Sequence, residues 1–174
     1  MTSLHSFLGD RKGSAAAEMA LILPLLLVVL FVAFEGGYFL WNEHKVVKGV
    51  RDGARYAGRL AFSQYGGCPA SPGAPAAFTG PGLNSIQEIT RTGKISGGTS
   101  SLVGWQNSHV TVTCDFVASS GGLYSTNAGN APRVTVSASV PYPSSPITSL
   151  VGVLGFNPAG ITLNASAQAA VMGL

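Results

Sequence analysis

The stretch from Ser14 to Phe34 constrains this chain more than any other. It reads SAAAEMALILPLLLVVLFVAF and contains a single charge, Glu18. As a helix rising about 1.5 Å per residue it crosses a hydrocarbon core about 30 Å thick. A secretory signal has an apolar core of only about 7–15 residues and ends in a small-x-small cleavage site. Here the run ends in Phe34-Glu35-Gly36-Gly37-Tyr38, a poor site of that kind, so the sequence predicts a retained membrane helix. Tyr38 and Trp41 mark its aromatic boundary. Pro24 removes a backbone donor and is expected to kink or loosen the helix. Glu35, near the far end, is expected to reach toward headgroups or a neighbouring subunit.

A carboxylate inside an apolar helix costs several kcal/mol unless it is matched. Glu18 is therefore read as functional rather than as a side chain snorkelling to the headgroups. Arg11-Lys12-Gly13 precedes the run, Ser14 follows, and Glu18 lies four residues beyond Ser14. A cut between Gly13 and Ser14 leaves a new amine at Ser14 and a carboxylate at the fifth mature position. This pattern resembles the class III signal of type IV pilin-like proteins. With Pro24, Glu35-Gly36-Gly37 and Arg51-Asp52-Gly53-Ala54-Arg55-Tyr56-Ala57, the wider run is similar to the TadE-like minor pseudopilins of tight-adherence pili. The similarity covers roughly the first sixty residues, a membrane helix plus its extension. It implies a leader removed at Gly13 and Ser14 by a prepilin peptidase, and assembly roles for Glu18 and Glu35. The leader is then cytoplasmic and the distal domain periplasmic. Lys45, Lys48, Arg51, Arg55 and Arg59 follow the apolar run, and charge counting alone favours the reverse orientation. The processing signal and the cysteines decide for leader-inside.

From Asn42 to about Phe62 the pattern is amphipathic. At roughly 100° per residue Val46, Val50, Ala54, Ala57 and Ala61 share one face, with Lys45, Lys48, Asp52, Arg55 and Arg59 opposite. Gly49, Gly53, Ala57 and Ala61 recur every fourth residue. Such spacing permits close approach, either to the chain's own domain or to another helix in a fibre core. The basic stripe by itself reads as a solvated face.

Ser63 to Gly82 is rich in Gly and Pro and reads as a linker. Asn84 to about Lys94 has capping-box spacing at Ser85 and Glu88 and reads as a short helix ended by Gly97-Gly98. Three runs alternate apolar with polar residues, His109–Val117, Arg133–Tyr142 and Gly160–Met172. Period two with one apolar face predicts an antiparallel sheet, covered by the apolar side of the stem helix. Between them lie a polar hairpin or loop at Ser119–Pro132, an irregular turn at Pro141–Pro146 and a short helix at Ile147–Leu154.

Chemistry is sparse. Beyond Arg59 the charged residues are Glu88, Arg91, Lys94, Asp115 and Arg133, against about a quarter of residues in an ordinary soluble domain. Such a neutral surface suits packing against neighbours. The net charge of +3 comes mostly from residues before Leu60, and no basic patch is interleaved with aromatics, so no nucleic-acid partner is expected. Cys68 and Cys114 fit no zinc spacing. They are either a disulfide or two buried thiols, and a periplasmic setting selects the disulfide. His109 and Asp115 make a triad formally available, but no serine sits in a nucleophile elbow. No phosphate loop, dinucleotide fingerprint or metal spacing occurs.

The reading is an α+β protein shaped like a pilin. It divides into a cleaved leader (1–13), a transmembrane helix (14–41), an amphipathic stem helix (42–62) and an antiparallel-sheet domain (63–174). No catalytic residue, metal, cofactor or small-molecule substrate is expected. The expected role is a minor pseudopilin in assembly of a tight-adherence type IV pilus serving adhesion. It would sit in a bacterial inner membrane by a single pass, or within the extracellular pilus, and its expected partners are the membrane, the prepilin peptidase and other pilins. The alternatives are a pseudopilin of a type II-like secretion system and a signal-anchored periplasmic binding module.

Overall fold

A computed structural model describes residues 12–69, 73–119, 121–127, 130–143, 145, 152 and 160–173. Its dominant element is helix α1, Lys12–Ala57, of 46 residues. At 1.5 Å per residue it is about 69 Å long. The apolar run and the amphipathic stretch are thus one uninterrupted helix, continuous through Pro24.

The C-terminal part of α1 packs on a four-stranded antiparallel sheet ordered β1-β2-β3-β4. Its strands are β1 (Ala76–Ala77), β2 (Val110–Ala118), β3 (Asn130–Pro141) and β4 (Thr162–Ala170). The register stacks the inward residues across strands: Val112 faces Val136, which faces Ala167, and Val140 faces Leu163. Val46, Val50, Ala54 and Ala57 of α1 meet this face and are at most 2% exposed. Burying a Val side chain contributes about 1.5–3 kcal/mol, so the period-3.6 stripe holds helix and sheet together. Small Ala165, Ala167 and Ala169 on β4 pack against the same core and leave room for the helix backbone.

Helix α2, Leu83–Thr92, crosses α1 where Gly49 and Gly53 lie. A Cβ on Gly49 would meet the Thr90 carbonyl oxygen, with the Trp105 ring 2.9 Å away; one on Gly53 would meet the Thr90 hydroxyl. The four-residue spacing of small residues therefore serves the chain's own domain. Trp105 and Ile86 line this crossing and are at most 2% exposed.

Several boundaries differ from expectation. The stem helix ends at Ala57 rather than near Phe62: the Tyr65 hydroxyl donates to Ala57 O, the last helical carbonyl, at 2.6 Å, and Met172 N donates to Gly58 O, just beyond the helix, at 2.7 Å. Orphan carbonyls at a helix end need such partners. Burial raises the Tyr65 pKa, so the hydroxyl keeps its proton as a donor. The expected linker contains a 3₁₀ turn, Phe62–Tyr65, and strand β1. Ser85 caps nothing: α2 begins after Gly82, and Glu88 pairs with Arg91 at 2.7 Å. Gly93, at φ 75°, ends α2 ahead of Gly97-Gly98 by donating its N–H to Ile89 O, a left-handed cap that glycine adopts readily. The expected helix at Ile147–Leu154 lies, apart from Gly152, outside the described residues.

On the opposite face of the sheet, Asp115 and Arg133 are direct cross-strand neighbours and form an ion pair. Arg Nε donates to Asp115 Oδ1 at 2.9 Å. The guanidinium holds the Asp115 carboxyl below its ordinary value of 3.8, with burial opposing. A depressed folded pKa contributes stability that is present above the unfolded value and is lost as pH falls through the folded one. Thermal melts from neutral pH down to strong acid should show the wild type losing stability below about pH 4, with a shallower loss in Asp115→Asn. Parallel profiles for the two proteins would place the acid sensitivity elsewhere.

Candidate assembly surface

Ahead of the sheet contacts, α1 stands bare. Met19, Leu21, Ile22 and Leu23 are each more than half exposed, and the same holds for most large apolar side chains up to Trp41. The most apolar window has mean hydropathy 2.6 and none of it is buried within the chain. By length and composition this helix is able to cross a membrane, and its exposed apolar surface is far larger than a soluble monomer carries.

Gly13 and Ser14 lie in the first turn of α1. Gly13 is exposed, with open space around the position a Cβ would take. Glu18 follows Ser14 by four residues, one helical turn, which brings both to one side of the helix. It is exposed and has no partner among the described residues.

Glu35 is engaged differently from expectation. Its Oε1 accepts a hydrogen bond from the Tyr142 hydroxyl at 2.7 Å, and its Oε2 accepts one from Ser145 Oγ at 2.5 Å. Both donors belong to the segment that leaves β3, more than a hundred residues along the chain. The Tyr142 ring also packs on Tyr38 and Phe39 at centroid separations of 6.0 and 5.5 Å. Burial, helped by the Glu35 carboxylate, raises the Tyr142 pKa and keeps its hydroxyl a donor. Within this chain, then, Glu35 binds its own domain rather than a headgroup. Trp41 remains exposed at the expected boundary, with Lys45 Nζ 5.4 Å from its ring centroid.

Cys68 and Cys114 form a disulfide across 46 residues of chain, with Cα atoms 5.6 Å apart. It ties the end of the 3₁₀ turn to β2 beside β1, where Ala76 pairs with Cys114. His109 closes the turn before β2, its Nδ1 accepting the Gln106 N–H at 3.2 Å, and Asp115 is engaged by Arg133. The two are thus committed to separate structural contacts. Tyr142 and Ser145 escaped the sequence reading: no local spacing links them to Glu35, and only the path of β3 brings them to it.

The geometry defines a class: an α+β protein whose long apolar helix protrudes from a small antiparallel sheet. Residues 13–55 match the family model described as TadE-like protein, so this segment is TadE-like, as the resemblance built on Gly13, Glu18 and the Arg51–Ala57 run predicts. No curated protein and no solved structure matches the chain.

Proposed function

We propose that the protein is a minor pseudopilin that acts in assembly of a tight-adherence pilus. The TadE-like segment links the chain to Tad pilus systems; the precise role and its processing are the proposal. One observation carries it: the family match falls on the helix whose apolar surface is bare and whose carboxylate, Glu18, has no partner among the described residues. A carboxylate within the apolar run is costly unless it is matched. The Ser14 amine created by cleavage after Gly13, on this subunit or a neighbour, offsets that cost in a helix bundle. The role is architectural, without catalysis, and the sheet domain faces the periplasm.

Two readings test this. Intact-mass measurement of the membrane-extracted protein should give a chain beginning at Ser14, and Gly13→Val should leave it at full length. A wild-type chain still beginning at Met1, in cells holding the peptidase, defeats the processing claim. At equal protein level Glu18→Gln should reduce pilus number about tenfold or more, since an unmatched buried charge costs several kcal/mol, while the melting of the sheet domain stays unchanged. Wild-type piliation in Glu18→Gln and Glu18→Ala would reduce Glu18 to a snorkelling residue.

A further inference from the structure

The contacts of Glu35 fix how deep one end of the sheet domain sits. The run Ser14–Phe34 spans a hydrocarbon core about 30 Å thick, so Glu35 stands at the outer face of that core and Trp41 about 9 Å beyond it. Headgroups add about 5–8 Å on each side. Tyr142 is bonded to Glu35 and packed on Tyr38 and Phe39, and is thereby held within the headgroup layer. Tyr142 N donates to Ile161 O at 2.9 Å, which brings the start of β4 to the same level. From there the sheet climbs away. At the far end of β4, a Cβ on Gly58 would come 3.0 Å from the Ala170 carbonyl oxygen. Glu35 to Gly58 is about 35 Å along the helix, and Ile161 to Ala170 is about 31 Å along a strand. The two lengths nearly agree, so β4 runs alongside α1 and meets the membrane only where it begins.

We infer that this end of the domain, around Tyr142 and Ile161, is a second membrane contact, which takes lipid at the boundary between headgroups and acyl chains. Ile161 is 45% exposed, at the level where an exposed apolar side chain meets lipid. Tyr142 joins Tyr38 and Trp41 in an aromatic girdle of the kind that marks a membrane–water interface, supplied here in part by the sheet domain. The chain beyond Arg133 carries no charge. The residues that join Tyr142 to Ile161 include Ile147, Leu150, Val153, Leu154 and Phe156, whereas a connection bathed in water is polar as a rule. The two donors on Glu35 fit the same setting. A carboxylate beside lipid is costly unless it is matched, and Tyr142 and Ser145 match it. Headgroup charge is not what this end selects: the first Lys or Arg beyond the apolar run is Lys45, about 15 Å from Glu35 along α1.

This rests on α1 as a membrane anchor, and the test separates the two. The full-length chain, a single copy in each phosphatidylcholine nanodisc, carries a fluorophore on one introduced cysteine; both native cysteines are closed in the disulfide. The variants are Ile161→Cys, Thr162→Cys beside it in case the first disturbs packing, Val117→Cys and Leu27→Cys. Val117 is exposed to a similar degree, 40%, but its cross-strand partner Ala131 lies along β3 about 37 Å from Tyr142. The quencher is a phosphatidylcholine with a nitroxide at the top of one acyl chain, or near the chain end for Leu27. The labels at Ile161 and Thr162 should lose most of their emission and the label at Val117 almost none. Leu27 quenched, with Ile161 and Thr162 as bright as Val117, overturns the contact and leaves the anchor standing. Leu27 unquenched removes the anchor and the contact together. Quenching at Ile161 that requires phosphatidylglycerol and fades as salt is raised would assign the contact to Lys45 and Lys48 and overturn the proposal as well.

Discussion

Replacing Cys68 and Cys114 together by alanine is expected to lower the stability of the sheet domain by about 4 kcal/mol, the chain-entropy value for a loop of this length. For a domain of this size that corresponds to a fall in melting temperature of roughly 20 °C. The effect is large because the bond holds what little else can hold. Strand β1 has two residues, and its neighbour Phe78 donates one backbone hydrogen bond to Val112 O at 2.9 Å. Without the disulfide the Phe78 amide should exchange with solvent well before the amides of β3. Reductant should reproduce the fall in the wild type and leave the double variant unchanged. If unreduced, denatured wild type alkylates at both thiols and melts as the double variant does, the bond is absent in the cell, and the periplasmic placement of the domain falls with it.

The second large effect lies at the crossing of α1 and α2. In an isolated helix Gly→Ala is favourable by about 0.8–1 kcal/mol. At Gly49 that gain is outweighed, because the new methyl meets the Thr90 carbonyl oxygen, a backbone atom that cannot rotate away. Overpacking of this kind costs about 1–3 kcal/mol, so after the propensity gain Gly49→Ala should be destabilised by about 1 kcal/mol. Gly53→Ala meets the Thr90 hydroxyl instead, which is committed to Ile86 O at 2.7 Å. Thr90→Ala should therefore recover part of the loss in Gly53→Ala and none in Gly49→Ala. Denaturant titration of the wild type, the three single variants and the two double variants decides the matter. Singles more stable than wild type would mean that propensity wins and that the helices do not approach so closely.

The parts of the fold that were legible in the sequence are those with a period. Val46, Val50, Ala54 and Ala57 repeat at 3.6 because one side of α1 is buried, and the three long strands alternate because one side of the sheet is. The spacing of Gly49 and Gly53 announced a close helix contact but not its partner, since Thr90 becomes the partner only through the path of α2. Two features had no local signal, and a third had a misleading one. Strand β1 is too short for alternation and exists because Cys68 and Phe78 anchor the segment around it. The end of α1 is met by Tyr65 and Met172, one of them at the far end of the chain. Ser85 and Glu88 had the right spacing for a cap, but the helix starts ahead of Ser85 and Glu88 pairs instead with Arg91 one turn along the same helix. At the candidate assembly surface, the bare helix and Glu18 were readable, whereas the engagement of Glu35 depends on a contact 107 residues distant.

The bonds from Tyr142 and Ser145 to Glu35 reach α1 about three turns ahead of Val46, the first α1 residue of the buried core. The sheet domain is thereby fixed to the helix at two levels along its axis, which removes rotation of one about the other. Its compass heading is then a property of how the helix is turned: advancing the helix's packing by a single residue swings the domain by about 100°. Any bundle that selects one rotational setting of the buried helices also selects, without further contact, the direction in which every sheet points outside it.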